Sequence, residues 1–152
     1  GLGLRDHSWG PRYWQSIFMY RWLPMSFEKD FAAMISVIET GKGQFRRSGV
    51  IQKGDVYHAI EDTTIETIWD DEWHQTGMKV WAKTDEGEYE IEGKVKSLIP
   101  LRNVRRSPDG EVLHTRITEA MTEFTCNGKV GYGMSEFLDQ MEDGKPVGSD
   151  VS

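Results

Sequence analysis

The sequence predicts an all-β domain, an antiparallel barrel or sandwich of about nine strands. Apolar and polar residues alternate with a period of two through most of the chain. Short turns rich in Gly, Asn and Asp separate these segments. Residues 27–38 carry apolar side chains at helical intervals, but Ile35, Val37 and Ile38 are β-branched and favour a strand. The repeated hairpin pattern therefore favours a β domain with little helix.

Five strands are predicted in the first half of the chain. The first is rich in apolar residues and ends at Pro24, which has no backbone N–H to donate to a ladder. Glycine-containing turns at residues 41–43 and 53–55 separate the strands that follow. The predicted strands cover residues 16–23, 31–39, 45–52, 56–61 and 63–69.

Four longer strands are predicted in the second half. Residues 89–98 place Tyr89 and Ile91 opposite a row of charged side chains, as in a strand with one wet face. Residues 107–110 indicate a turn, and Asn127-Gly128 is the strongest hairpin signal in the chain. The predicted strands cover residues 75–84, 89–98, 112–125 and 129–137. The domain is expected to span residues 1–148, followed by a frayed tail at residues 149–152. Fraying is expected to begin at about residue 142, where the chain becomes rich in Gly, Asp and Ser.

Composition limits the class of protein and its partners. The 152 residues suit one domain, and six Trp, five Tyr and six Phe supply a core. A net charge of −7 without a basic stripe argues against nucleic acid as a partner, and no apolar run is long enough for a transmembrane helix. Cys126, the single cysteine, excludes an internal disulfide and fits a cytoplasmic protein. The sequence shows no signal peptide and no initiator Met, which suggests a processed form or part of a longer protein.

Residues 5–12, Arg-Asp-His-Ser-Trp-Gly-Pro-Arg, form the densest cluster of chemically active side chains. In an extended chain Asp6 and Ser8 lie on one face, whereas Arg5, His7 and Trp9 lie on the other. An Asp beside a His fixes its tautomer and raises its pKa, which produces a proton donor.

The same residues also fit a purely structural role. In that interpretation Asp6 caps a turn, Arg12 pairs with a buried acid, and Trp9 plugs one end of a barrel. Both interpretations place Trp9 and Arg12 inside the protein. A run this polar is costly to bury without partners, so it forms either a satisfied polar network or a functional site. The residues slightly favour the structural role.

Two later segments carry weaker indications of function. Glu119 and Glu123 share a strand face about 13 Å apart, too far for a carboxylate pair acting on one bond. Residues 131–136 place glycines on both sides of Tyr132, which permits close approach of a backbone or a ligand, and put Glu136 on the same face as Tyr132. The histidines lack metal-ligand spacing and no cofactor motif occurs, so neither a metal nor a cofactor is expected.

The segment 5–12 resembles the Asp-His-Asn-Trp-Gly signature of the carotenoid 1,2-hydratase (hydroxyneurosporene synthase) superfamily, a two-domain, lipocalin-like group. A branch of that group without an assigned activity is more similar still, at the start of its second half. Residues 97–103, Ser-Leu-Ile-Pro-Leu-Arg-Asn, and 131–136, Gly-Tyr-Gly-Met-Ser-Glu, extend the resemblance from about residue 3 to residue 148.

The resemblance implies a calycin-type barrel or sandwich with a pocket for an apolar ligand, such as an isoprenoid, steroid-like or fatty compound. In the hydratases a carboxylate and a His are proposed to protonate an alkene, and Asp6 and His7 match those positions. Ser8 stands where the hydratases have Asn, which weakens the transfer of activity. The group also includes isomerase-type enzymes, so fold and motif do not fix the reaction. The resemblance further implies an N-terminal lipocalin-like partner domain, and in its absence the chain is expected to expose a sheet edge and to form a homodimer.

Two functions follow from these expectations, and the sequence leaves both open. The first is a hydratase, lyase or isomerase in which Asp6 and His7 are catalytic. Arg5 or Arg12 would then orient the carboxylate, and Trp9, Trp14 and Tyr132 would line the pocket with Glu136 nearby. The second is a non-catalytic domain with a ligand-binding or structural role. Whether Asp6 and His7 face a solvent-reachable cavity separates the two.

Overall fold

A computed structural model describes residues 1, 3–11 and 13–148 of the chain. In these ranges the fold is all-β and antiparallel, as predicted, with a single short 3-10 turn at Trp14–Ser16. None of the helical structure in these ranges is long and apolar enough to cross a membrane. The strands are β1 Met19–Glu28, β2 Phe31–Gly41, β3 Gln44–Lys53, β4 Val56–Ala59, β5 Asp62–Trp69, β6 Gln75–Thr84, β7 Gly87–Arg106, β8 Val112–Cys126, β9 Lys129–Glu142 and β10 Lys145–Pro146.

The strands form one sheet in the order β4-β3-β2-β1-β9-β8-β7-β6-β5, and β10 pairs with β9. The two edge strands, β4 and β5, are separated by only two residues, so the sheet curls until its edges approach each other. The Ile60 N–H donates to the Gly49 carbonyl at 3.0 Å, and Arg47 Nε lies 3.9 Å from Asp62 Oδ1. Among the described residues no ladder joins β4 to β5, and the curled sheet remains open.

The concave face of the curled sheet carries one apolar core. Its members alternate along their strands with exposed residues, as period-two patterning requires. The largest side chains in it include Phe124, Phe137, Leu23, Ile35 and Met78, all with 1% or less of their surface exposed. Strand β7 shows the predicted wet face, since Tyr89 and Ile91 are buried and the glutamates that alternate with them, Glu88, Glu90 and Glu92, are exposed.

The predicted Asn127-Gly128 hairpin is confirmed, and its conformation follows from its residue types. Both residues have positive φ angles, 51° and 74°, as the tight turn favoured between two twisted strands requires. Residues 31–39 lie in strand β2 rather than in a helix, because every second side chain from Phe31 to Glu39 is buried.

Several predicted boundaries are wrong. Strand β7 runs to Arg106 instead of ending at residue 98, β9 runs to Glu142 instead of residue 137, and β1 begins at Met19 instead of residue 16. Strand β1 continues through Pro24 to Glu28, and the ladder between β1 and β9 skips the pairs at Leu23 and Pro24, where proline has no N–H to give. The chain does not fray from residue 142, because β10 pairs with β9 and Gly148 packs close to Met19. The predicted frayed tail, residues 149–152, lies outside the described residues.

The glycines beside Tyr132 allow the chain's first and last long strands to pair. A side chain on Gly133 would overlap the Pro24 carbonyl oxygen, and one on Gly131 would overlap the Ser26 carbonyl oxygen. The expectation of a close approach is therefore confirmed, with the backbone of β1 as the group that approaches.

Candidate functional site

The predicted acid site lies on an exposed segment before the first strand. Asp6, His7 and Trp9 are exposed, and Trp9 keeps 83% of its surface accessible. Ser8 Oγ donates to Asp6 Oδ2 at 3.4 Å, while the His7 and Trp9 rings meet at 4.7 Å. Asp6 and Ser8 therefore share one face of the segment and His7 and Trp9 share the other, as predicted. The prediction that Trp9 is buried is wrong, because this part of the chain joins no strand that would cover the ring.

The other predicted residues at this end divide between the surface and the strands. Arg5 is exposed, and Arg12 lies outside the described residues. Trp14 is half-buried in the 3-10 turn, and its carbonyl accepts a hydrogen bond of 2.8 Å from Gln140 Nε2 on β9. Trp14 therefore contributes to anchoring the segment on the sheet.

Tyr132 and Glu136 lie on the convex face of β9, away from the core. The Tyr132 hydroxyl donates to Glu123 Oε2 at 3.0 Å, and this hydrogen bond raises the pKa of Tyr132. The Tyr20 hydroxyl donates to Glu136. These contacts belong to cross-strand pairs of the sheet and involve neither Asp6 nor His7.

A cavity of about 810 Å³ lies at one end of the curled sheet, where β7 runs past the start of β6. We call it the mouth cavity. One wall is the concave side of the β7–β8 hairpin, which contributes the apolar Val104 and Val112, and Met141 adds to this apolar surface from β9. The opposite wall comes from Glu72 and His74, in the loop between β5 and β6. No candidate residue from the sequence is among the described residues that line the cavity.

The loop between β5 and β6, residues 70–74, is held in a fixed turn. Asp70 Oδ1 accepts hydrogen bonds from the backbone N–H groups of His74 at 2.8 Å and Glu72 at 2.9 Å. The hydrogen bond from His74 is the main cause that lowers the pKa of Asp70. Trp73 has a positive φ of 62° within this turn, a conformation that an L-residue adopts only when its surroundings impose it.

Arg116 joins this loop to the sheet. Its side chain is on the concave face of β8 and is 6% exposed. The guanidinium donates to the Glu72 carbonyl at 3.0 Å and to the Trp73 carbonyl, while its Nε is buried without a partner. Burial lowers the pKa of Arg116, and the carboxylate of Asp139 opposes that change. An arginine remains charged under these conditions, so Arg116 places a buried cation in the wall of the mouth cavity.

A second buried arginine lies beside it. Arg21 Nη2 is 2.8 Å from Asp139 Oδ1, and both side chains are almost fully buried. The Arg21 guanidinium also lies 4.2 Å from the centre of the Phe137 ring. Asp139 is the cross-strand partner of Arg116. We call Arg21, Arg116 and Asp139 the inner charge cluster.

The inner charge cluster was not predicted, although the sequence carries a signal for it. Each member occupies an inward position in a strand that otherwise alternates apolar and polar residues. A charge at such a position is rarely left buried without a partner. Three single charges on three separate strands are less conspicuous in a sequence than the eight adjacent residues at 5–12.

Among the described residues no group of three or more His, Cys, Asp or Glu side chains is arranged so that it could hold a metal ion. His58 lies in a surface network, with its Nδ1 3.0 Å from Asp85 Oδ1 and its Nε2 3.4 Å from Glu86 Oε2, and Glu86 also pairs with Lys53. This network joins β4 to the turn between β6 and β7.

Comparison with known proteins gives a family without an assigned activity. No curated protein and no solved structure matches the chain. The family model described as "Domain of unknown function (DUF7064)" matches residues 1–141, nearly the whole sequence. The chain therefore belongs to the DUF7064 family.

Proposed function

We propose that this chain binds a small, partly apolar molecule in the mouth cavity. The observation that carries the proposal is the cavity itself. Its volume of about 810 Å³ falls within the range of small-molecule sites, roughly 300–1,000 Å³. Its described lining combines the apolar Val104, Val112 and Met141 with polar and charged side chains, which suits a ligand that has both an apolar and a polar part.

The rigidity of the walls supports binding. The β7–β8 hairpin is an antiparallel ladder from Ile91–Cys126 to Arg106–Val112, interrupted by one register shift between Val95 and Ser97. The facing loop is held by hydrogen bonds from its own N–H groups to the Asp70 carboxylate. The Arg116 guanidinium also donates to a carbonyl of the loop. A site formed before the ligand arrives does not spend binding free energy on ordering its walls.

Acid-catalysed hydration or isomerisation of an alkene at Asp6 and His7 fits the structure less well than binding. Protonation of an alkene requires a donor shielded from water, and both side chains are exposed in this chain. A second domain or subunit covering residues 5–9 would be needed to exclude water. We therefore favour a ligand-binding function over a catalytic function for this chain.

Titration with the neutral apolar dye Nile red tests the proposal. We expect saturable binding to the full chain, and we expect Val104→Trp to weaken it by filling the cavity. Ile99→Trp is the matched control, because Ile99 lies on the opposite face of the same strand and is comparably exposed, 64% against 59% for Val104. Equal binding by the two variants, or no binding by the wild-type chain, would refute the proposal. Native mass spectrometry of protein from the expression host then identifies any ligand that remains bound.

A further inference from the structure

Two arginines lie side by side in the wall of the mouth cavity. Arg102 on β7 and Arg116 on β8 are direct cross-strand partners, so their side chains project from the same face of the ladder. Like charges placed directly opposite each other in a sheet are destabilising. Such a pair calls for a compensating negative charge.

The protein supplies little of that charge to this pair. Within the described ranges Arg102 makes no hydrogen bond or ion pair. Arg116 donates to two backbone carbonyls and has a buried Nε without a partner. The nearest buried carboxylate, Asp139, is already bonded to Arg21 at 2.8 Å.

Three acidic residues also line the cavity, but they are exposed. Glu72 has 81% of its side chain accessible and lies 3.6 Å from the ring of His74. Glu142 and Asp143 are exposed near the end of β9, as Arg102 is on β7. None of the three has an ion pair with Arg102 or Arg116.

We infer that the ligand of the mouth cavity is an amphipathic organic anion whose carboxylate or phosphate group binds between Arg102 and Arg116. The adjoining Val104, Val112 and Met141 receive its apolar part. Arg102 suits this role because its exposed, planar guanidinium can give two parallel hydrogen bonds to such a group. Arg116, whose two Nη atoms already donate to loop carbonyls, contributes mainly its positive charge. The inference rests on the proposed function and adds the charge of the ligand to it.

Three probes with the same chain and different head groups test the inference: decanoate, decyl phosphate and decan-1-ol. Calorimetric titration into the full chain should show at least one of the two anions binding about tenfold or more tightly than the alcohol, as expected for charge-assisted hydrogen bonds. Added salt should weaken binding of that anion and leave the alcohol unaffected. The better of the two anions identifies the head group.

Arg102→Gln provides the decisive variant, because Arg102 is exposed and holds no structural contact. We expect it to reduce binding of the preferred anion about tenfold and to leave decan-1-ol unchanged. Arg106→Gln is the matched control, since Arg106 belongs to the same strand but is not among the residues that line the cavity. It removes the same charge and should change neither affinity.

The outcomes separate this inference from the proposed function. If all three probes bind equally and Arg102→Gln has no effect, the anion inference is wrong, while binding in the cavity stands. If none of the probes binds and Nile red does not bind either, both are wrong. Equal weakening by Arg102→Gln and Arg106→Gln would show a general effect of net charge and would overturn the role of Arg102.

Discussion

Two groups of polar residues in this protein differ in burial: one is exposed and the other lies inside the sheet. The motif at residues 5–9 is contiguous in the sequence and lies exposed, with local contacts such as Ser8 to Asp6. The inner charge cluster comes from three strands, and each of its members is no more than 6% exposed. Adjacent polar residues can all be solvated together. Isolated charges inside alternating strands must instead find partners across the sheet.

The difference predicts where substitutions destabilise the protein, and Asp139→Ala should have the largest effect. It leaves the Arg21 guanidinium buried without its carboxylate, which costs about 3–5 kcal/mol of unfolding free energy in comparable pairs. Urea unfolding followed by tryptophan fluorescence measures the change. Asp6→Ala, which removes an exposed carboxylate, should stay within about 0.5 kcal/mol of the wild type. Comparable losses of unfolding free energy in the two variants would show that the exposed motif contributes as much to stability as the inner charge cluster.

Arg116→Met should have the next largest effect and should act locally. The variant keeps an apolar stem but removes the donors to the carbonyls of Glu72 and Trp73, a loss of about 1.5–3 kcal/mol for hydrogen bonds from a charged group. Hydrogen exchange of the Trp73 and His74 amides should accelerate, since both are bonded to Asp70 within the loop. Arg102→Met removes the same charge from the neighbouring strand and should leave these exchange rates unchanged.

The sequence predicted the fold well because period-two patterning is a local property. The turn at Asn127-Gly128, the buried positions of β6 and the wet face of β7 all follow from neighbouring residues. The pairing of β1 with β9 does not, because it joins residues more than 100 positions apart. The glycines at 131 and 133 hinted at it, but they did not identify which strand approaches.

The candidate site was harder to predict for the same reason. The mouth cavity requires β7 to run past β6 and the loop at residues 70–74 to fold back over it. Neither the lengths of paired strands nor the cross-strand position of Arg102 opposite Arg116 can be read from one strand alone. The relation to the carotenoid 1,2-hydratase superfamily, the partner domain or homodimer and the roles of Asp6 and His7 stay predictions.

Acid should loosen the loop beside the mouth cavity. The folded structure lowers the pKa of Asp70, mainly through the hydrogen bond from the His74 N–H. A carboxyl group with a lowered folded pKa stabilises the protein above its unfolded pKa, about 3.9, and loses that contribution as the pH falls through the folded value. We expect exchange of the His74 amide, relative to an exposed reference peptide, to accelerate below about pH 4. Asp70→Asn should remove this pH dependence, and its persistence in that variant would assign it to another group.

Trp9→Ala should have the smallest effect, although tryptophan is the largest side chain in the motif. Loss of a buried Trp costs about 3–5 kcal/mol, whereas an exposed side chain contributes within about 0.5 kcal/mol. Trp9 belongs to the second class, because 83% of its surface is accessible and His7 is its one ring contact among the described residues. The thermal midpoint should therefore shift by no more than about 3 °C, given the usual relation between free energy and midpoint for a domain of this size. A larger drop would show that residues 5–9 pack against the sheet or against a second copy of the chain in solution. Repeating the melt over a hundredfold range of protein concentration separates these two cases, because only association makes the midpoint depend on concentration.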